Sequence, residues 1–504
     1  MSHALRLRDA VEVTFESGIL SFADRDIELS IEIEIGKQPE LVALNRKKLE
    51  CWLQSNAPDA EQVVQVLCSL AMLDEGSSRV EIRKKQTLFQ LNQLLEFTKQ
   101  HVPFYEPDTY PSAVASLQEM ATLPLLRKSD VRGRFLDLVS GELDLASGIS
   151  SGEVSLGSTS GSTGERLQSL SGPEVAQNPA SYDYVWFGRA QGRPSKVAIL
   201  TTPICSPTVC HLGRASYEER LIENGAVLTL NSCEDLFGVE RSQIKKFADD
   251  LHRFRPDIVF CNPMYLHWFG RKATEWGIAL PPVKALSSSY QYRSLLQTRG
   301  LHQVFGAPIY DYYGCTEAAA TPGQECPNGR LHVRSEQCLV EVVNEQGGPV
   351  PLQTLGAIVI TTTAARTMPL VRYMVGDVGC LQEADCSCVL GGCPTIVLHG
   401  RAKDMLYLQN RWVTTRQFDD VIGTTDHLDF YSCKQLDERT LQVKVIPFLG
   451  YEGSFPYHEV AEKVSSAFSV ANVIVEDVHR LDPLPGSLKF ALTQCRYREP
   501  PACP

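Results

Sequence analysis

The chain has 504 residues, too many for one ordinary domain of about 100 to 200 residues, so two or three domains are expected. Its 60 acidic residues against 48 basic ones give a net charge of -12, which argues against broad attraction to nucleic acid or anionic membranes. With 43% apolar and 21% charged residues, the composition is globular and excludes a disordered or collagen-like chain.

The start, MSHALRLRDAVEVTFESG, lacks an apolar signal stretch, and no run of about 18 apolar residues occurs, so a cytoplasmic address is expected. Residues 10 to 35 alternate: Val11, Val13 and Phe15, then Ile27, Leu29, Ile31, Ile33 and Ile35 around a turn near Gly18, a pattern that predicts a pair of half-buried strands. Helical spacing follows around Leu49, Trp52 and Leu53, and again at Val63, Val64, Leu67, Leu70 and Ala71. Residues 1–86 therefore read as a winged-helix-like α+β extension, either a packing unit or a docking unit for a peptide or protein. The amphipathic segment LFQLNQLLEFTKQ opens the next region and is stopped by Pro103 and Pro107. Between residues 195 and 315 short apolar runs alternate with helical segments, the rhythm of βαβ units and a mostly parallel sheet. From residue 331 to about 398 the pattern becomes strand-like and suggests a small antiparallel sheet or barrel. The last hundred residues hold strand LQVKVIPF, a helix with Val460, Val464, Ala467 and Phe468 on one face, and strand NVIVEDV, which together fit a small α+β lid.

The segment GSTSGSTGER, Gly157 to Arg166, packs glycines that let backbone amides approach an anion beside hydroxyls that donate to phosphate oxygens. It lacks the Gly-Lys-Ser/Thr of a P-loop and, taken alone, such a loop is more often a flexible linker. Its order with YYGCTE at 312 to 317, PLVRYMVGDVG at 369 to 379, HGRAKDM at 399 to 405 and the late lysine of LPGSLKF resembles the adenylate-forming superfamily. Within it the phrases HVPFYEP, LPLLRKSDVR, FRPDIVFCNPMYL and PLVRYMVGDV look like the branch of phenylacetate-CoA ligases and coenzyme F390 synthetases. The resemblance covers roughly residues 87 to 500 and implies a large adenylate-forming domain over 87–400 and a small mobile lid over 401–504.

What the resemblance implies is ATP-dependent activation of a carboxylic acid as acyl-AMP, followed by capture on a thiol of coenzyme A or a carrier protein. Thr159, Ser160, Gly161, Ser162, Thr163 and Gly164 would hold the β- and γ-phosphates. Tyr312 or Tyr313 would stack on adenine, and Thr316 with Glu317 would address the α-phosphate and a Mg²⁺ ion, which favours carboxylate and phosphate oxygens. Asp377 would accept the ribose hydroxyls, Arg401 would lie near ribose and phosphates, and Lys403 would mark the hinge. Lys489 would neutralise charge building at the α-phosphate as the acid attacks. No general base is needed, because a carboxylate is already ionised at pH 7.

The sequence departs from the branch at several positions. Glu165 and Arg166 follow the phosphate loop where Lys and Pro are usual, and Lys403 stands where Asp is common. Asn410 replaces an expected glycine, and Lys489 lacks the glycine before it and the arginine three residues after it.

Cys326, His332, Cys386 and Cys388 offer three thiolates and an imidazole, a donor set that suits tetrahedral zinc, although buried cysteines are also ordinary core residues. Such positions can hold a structural zinc in the branch the chain resembles, and Cys380 or Cys393 could replace a ligand. Trp186, Tyr290 and Tyr292 are candidate walls for an aromatic or heteroaromatic acid, or plain core. The expected activity is thus an acid-thiol ligase. Its alternatives are amide formation on an amine or peptide, and a nucleotide-binding module without turnover that recruits a partner through residues 1–86.

Overall fold

The computed structural model describes residues 3–8, 11–16, 19–24, 29–34, 79–158, 167–173, 186, 195–203, 215–335, 337–383, 386–388, 390–451 and 455–501. They fall into two compact units, Met1–Gln90 with Gly391–Cys393, and Leu91–Leu390 with Pro394–Pro504.

In the first unit, β1 (His3–Arg8), β2 (Val11–Glu16), β3 (Ile19–Asp24) and β4 (Leu29–Glu34) form a meander of consecutive antiparallel neighbours. The predicted pair of strands is therefore four. Val11–Glu16 pairs antiparallel with Ile19–Asp24, a segment whose alternation is weaker to the eye because Ser21 and Ala23 share it with Leu20 and Phe22. The helical patterns near Trp52 and Leu67 lie outside the described residues.

Helix α1 (Arg79–His101) carries the fully buried Leu91, Leu94 and Leu95 into the second unit. Short helices α2 (Lys128–Gly133) and α3 (Leu145–Ser151) follow, then the hairpin β5 (Ser155–Ser158) and β6 (Gln168–Ser171). The strands β7 (Val197–Leu200), β8 (Leu221–Ile222), β9 (Val227–Thr229), β10 (Ile258–Cys261), β11 (Ala285–Ser288) and β12 (Ile309–Cys315) alternate with helices as the sequence rhythm predicts. β9, β7, β10, β11 and β12 run parallel in that spatial order. All four residues of β10 are buried, as expected for a central strand covered on both faces. Helices α4 (Arg241–Phe254), α5 (Pro263–Glu275) and α6 (Leu295–Phe305) start where their caps dictate. The Asn262 side chain accepts from the Met264 and Tyr265 amides with Pro263 at the first turn, and Ser294 and Gln297 form a reciprocal capping box.

β13 (Ala320–Glu325), β14 (Leu331–Val333), β15 (Cys338–Val343), β16 (Gly356–Thr362), β17 (Tyr373–Gln382) and β18 (Thr395–Arg401) extend the edge of the same sheet through antiparallel pairings. Beyond the β19 (Leu406–Leu408) and β20 (Arg411–Val413) ribbon, the C-terminal part is α+β. Its sheet has the order β23 (Asn472–Asp477), β22 (Thr440–Pro447), β21 (Leu428–Gln435), β24 (Thr493–Cys495), with α7 (Thr415–Ile422) and α8 (Tyr457–Phe468). Val460, Val464 and Phe468 of α8 are buried as predicted, whereas Ala467 is exposed. Among the described residues no helix is long and apolar enough to cross a membrane.

Candidate active site

A cavity of about 1680 Å³ opens where the parallel strands end, against β17, β18 and the C-terminal part. Open α/β sheets commonly bind ligands outside the carboxyl ends of their strands. Tyr312, Tyr313, Thr316, Glu317, Asp377, Arg401, Lys403 and Lys489 all line it. Thr159, Ser160, Gly161, Ser162, Thr163 and Gly164 lie outside the described residues, but both arms of the hairpin that brackets them, through Gly157 and Ser169, line the same cavity. The Ser169 hydroxyl donates to the Thr316 carbonyl at 3.0 Å, so that hairpin is fastened to the YYGCTE strand end.

Strand register places the next group. Asp377 on β17 faces Arg401 on β18, with Nε to Oδ1 at 3.5 Å. The Tyr313 hydroxyl donates to the other Asp377 oxygen at 2.8 Å, and burial, then the Asp377 charge, raises its pKa so that the proton stays. Asp311 lies two positions before Tyr313 on β12, hence on the same face, and also lines the cavity. The two tyrosines divide their tasks. Tyr313 belongs to the Asp377 side, while Tyr312 bonds Thr321 and packs edge-on against Phe260 with ring centres 5.2 Å apart.

The sequence reading passed over Lys128, although LPLLRKSDVR contains it. The Leu126 amide donates to the Arg372 carbonyl at 2.9 Å and the Met374 amide to the Leu126 carbonyl at 2.9 Å, which pins this segment alongside β17. Lys128, two residues on, then places its ammonium 3.4 Å from Glu317 Oε1, and Tyr373 donates to the same oxygen at 3.3 Å. Arg372 itself is fully buried at a φ of 52°, paired with Glu341 at 3.0 Å and donating to the Gly347 carbonyl at 2.8 Å. It acts as the clamp that holds β15, β17 and the Lys128 segment together.

Near the end of β18, burial first, then the charges of Arg401, Lys128 and Lys489, outweigh Asp404 and push the Lys403 amine down to about 8. Burial raises the Asp404 carboxyl to about 6 against the pull of Lys403 and Arg401. Lys128, Arg401, Lys403 and Lys489 thus line the cavity together with the carboxylates of Glu317, Asp377 and Asp404.

Lys489 lies in the turn before β24, its ammonium donating to the Tyr290 carbonyl at 2.7 Å. The residues on either side of that contact are strained. Leu488 has a φ of 53° and Tyr290 a φ of 72°, the left-handed region that favours glycine. Asn410 is left-handed too, at 59°, a conformation asparagine tolerates. Tyr290, Phe260 and Tyr312, with Val197 and Ile199, form an apolar corner of the cavity beside Lys489. Tyr292 also lines the cavity, whereas Trp186 stacks on Tyr310 at 5.2 Å and donates to the Glu325 carbonyl at 2.7 Å.

The ligand atoms of Cys326, His332, Cys386 and Cys388 all lie within 4.8 Å of one another. Cys326 Sγ is 3.8 Å from Cys386 Sγ, and Cys388 Sγ is 3.3 Å from His332 Nε2. Bonds of about 2.0 to 2.3 Å to a shared tetrahedral ion give edges of roughly this length. Cys380 lies outside this group.

No protein-family model matches the chain. A phenylacetate-coenzyme A ligase from Thermus thermophilus is 26% identical over 262 residues, 49% of this chain and 55% of the relative, so the chain aligns with little more than half of that protein's length. A crystal structure of 2-hydroxyisobutyryl-CoA ligase in the postadenylation state with R3-HIB-AMP matches with a TM-score of 0.64 and 17% identity, over 84% of this chain and 93% of the other. This is the adenylate-forming fold, and the chain is related to a phenylacetate-CoA ligase. The open conformation of the same 2-hydroxyisobutyryl-CoA ligase, with 2-HIB-AMP and CoA, overlays on this adenylate-forming fold less closely, with a TM-score of 0.53 and 17% identity over 81% of this chain and 94% of the other.

Proposed function

We propose that the protein is an AMP-forming ligase that activates an aromatic or heteroaromatic carboxylic acid as acyl-AMP and passes the acyl group to a thiol, either coenzyme A or a carrier-protein phosphopantetheine. The observation that carries this is convergence: Tyr313, Glu317, Asp377, Arg401 and Lys489 come from well-separated segments and line one cavity.

In this reading Asp377 takes the ribose hydroxyls, Tyr313 lies along the base, and Asp311 accepts from the base amine. Lys128, Arg401 and Lys403 hold the triphosphate, with the loop from Thr159 to Gly164 closing over it. Glu317 and a phosphate oxygen suit a Mg²⁺ ion, which would supply further neutralisation of the phosphates. The acid's ring occupies the corner of Phe260, Tyr290 and Tyr312, and its carboxylate points toward Lys489. A carboxylate oxygen attacks the α-phosphorus, the bond to pyrophosphate breaks, and Lys489 neutralises charge on the oxygens around phosphorus. Cys326, His332, Cys386 and Cys388 fit a structural zinc, which would tie the β13–β14 hairpin to the segment before β18 without taking part in the chemistry.

The alternative of a nucleotide-binding module without turnover is opposed by the strain at Leu488. A turn that had lost its task would gain by relaxing there, yet it still presents Lys489 to the cavity. Exchange of labelled pyrophosphate into ATP over a panel of aryl acids tests the proposal. Exchange dependent on one class of acid supports it; ATP binding with no exchange across the panel supports the module.

A further inference from the structure

We propose that Tyr265 is a positioning residue for the adenylation step: it holds the turn that delivers Lys489 to the reacting phosphate, without touching substrate itself. The inference deepens the proposed ligase activity and rests on it.

The seat for that turn is built at one point of the sheet, the carboxyl end of β10, where Cys261 is the last strand residue and Asn262 the next. The Cys261 carbonyl accepts from the Ser289 amide at 2.9 Å, and the Asn262 side-chain amide donates to Gln291 Oε1 at 3.1 Å. Tyr290 is thus held from both sides, which maintains its φ of 72° against the strain of a left-handed tyrosine. Its carbonyl accepts from the Lys489 ammonium at 2.7 Å. The fully buried Asn262 has a second task. Its Oδ1 accepts from the Met264 and Tyr265 amides at 3.0 and 3.4 Å, and so starts α5.

Tyr265, three residues on, is fully buried and lies outside the cavity lining. Its hydroxyl donates to the carbonyl of Leu488, the left-handed residue directly before Lys489, at 3.3 Å. On the other side of Lys489, the Phe490 ring packs edge-on against Phe237 at 5.5 Å and lies 6.4 Å from the Tyr265 ring. The lysine is therefore gripped at two places, its backbone through Tyr265 and its ammonium through Tyr290. Both grips trace back to the end of β10.

Fixing a long lysine before the acid attacks removes a loss of side-chain freedom from the step itself, and a charge partner displaced by about 1 Å loses much of its effect on a transition state. Each polar contact on the turn is a single hydrogen bond, so the turn can leave its seat once acyl-AMP has formed.

In the full-length protein, Tyr265→Phe removes the hydroxyl and keeps the ring. Acid-dependent exchange of labelled pyrophosphate into ATP is compared in the unsubstituted protein, Tyr265→Phe, Lys489→Ala and the double variant. Tyr265→Phe is expected to lower kcat about 3- to 10-fold, with the KM for ATP and for the acid within twofold. Once Lys489 is alanine, the same change is expected to add less than a further twofold loss, because its effect passes through the lysine. An equal loss in both backgrounds overturns the inference, since a general weakening of the fold acts on both alike whatever the melting temperature does. An unchanged kcat in Tyr265→Phe overturns it too. Absence of exchange with every aryl acid in the unsubstituted protein overturns the ligase reading itself, and so marks a different failure.

Discussion

At the scale of single residues, the turn that carries Lys489 is the most informative. Placing a leucine at a φ of 53° costs roughly 1 kcal/mol or more, and the chain bears that cost immediately before Lys489. Replacing Lys489 with alanine is expected to reduce acid-dependent exchange by about 100- to 1,000-fold, the range for losing one preorganised charge partner of a transition state, with ATP affinity changed less than threefold. A kinetic and binding comparison of the two proteins decides it; equal exchange rates would remove Lys489 from the mechanism. Tyr313→Phe should instead act on nucleotide binding. It deletes the 2.8 Å bond to Asp377 and leaves a carboxylate short of one donor, a loss of about 1.5 to 3 kcal/mol, or roughly 10- to 150-fold in affinity, readable by calorimetry. Asp377, Arg401 and Glu317 were legible because each sits in a short motif with a fixed neighbour. Lys128 was not, since its position beside Glu317 depends on Leu126 pairing with β17, a contact between residues more than 240 positions apart in sequence that no local pattern records.

At the scale of elements, helix α7 shows how a local capping signal acquires a long-range task. Thr414 and Gln417 start it by reciprocal capping, and this aims Asp419 at the first amide of α6. Burial, against hydrogen bonds from the Leu295 amide, Tyr431 and Tyr292, raises the Asp419 carboxyl from 3.8 to about 6. The folded protein therefore holds this proton more tightly than the unfolded chain. Its contribution to stability is fully present below pH 4 and is lost as the pH rises through 6. Asp419→Asn should flatten that part of the stability curve between pH 4 and 6 in denaturant titrations, and an unchanged curve would contradict the assignment. The zinc proposal also belongs to elements, because its ligands come from β14, the turn before it and the segment before β18. Metal analysis should find about one zinc per chain, and Cys388→Ser should lose it and lower the melting temperature by roughly 5 °C or more. The spacing of these cysteines matches no familiar finger, and it is the folding of β13, β14 and the segment before β18 that brings the four ligand atoms together. The βαβ rhythm of residues 195 to 315 was readable because buried parallel strands are apolar throughout. The meander at the start was half readable, since the alternation of Ile19–Asp24 is carried partly by serine and alanine.

At the scale of the whole molecule, the question is where the chain can be divided without breaking what it does. Sequence texture changes near residue 87, which suggested a boundary there, yet helix α1 runs unbroken from Arg79 to His101 and the compact units part after Gln90. A helix is cooperative and costly to nucleate, so a cut at residue 86 would remove its first two turns and fray the segment that carries Leu91, Leu94 and Leu95. Removing residues 1–78 instead leaves α1 whole, together with every described residue that lines the cavity. The shortened protein is expected to fold, with a cooperative melting transition, and to retain acid-dependent exchange within about threefold. If the extension docks the acceptor, the same protein loses most of its transfer to a carrier-borne or peptide acceptor while transfer to free coenzyme A or hydroxylamine is unaffected. If the extension only packs, melting broadens and exchange falls along with it. The two outcomes differ in whether the first half-reaction survives, so measuring exchange and transfer on one preparation assigns the extension to recognition or to stability.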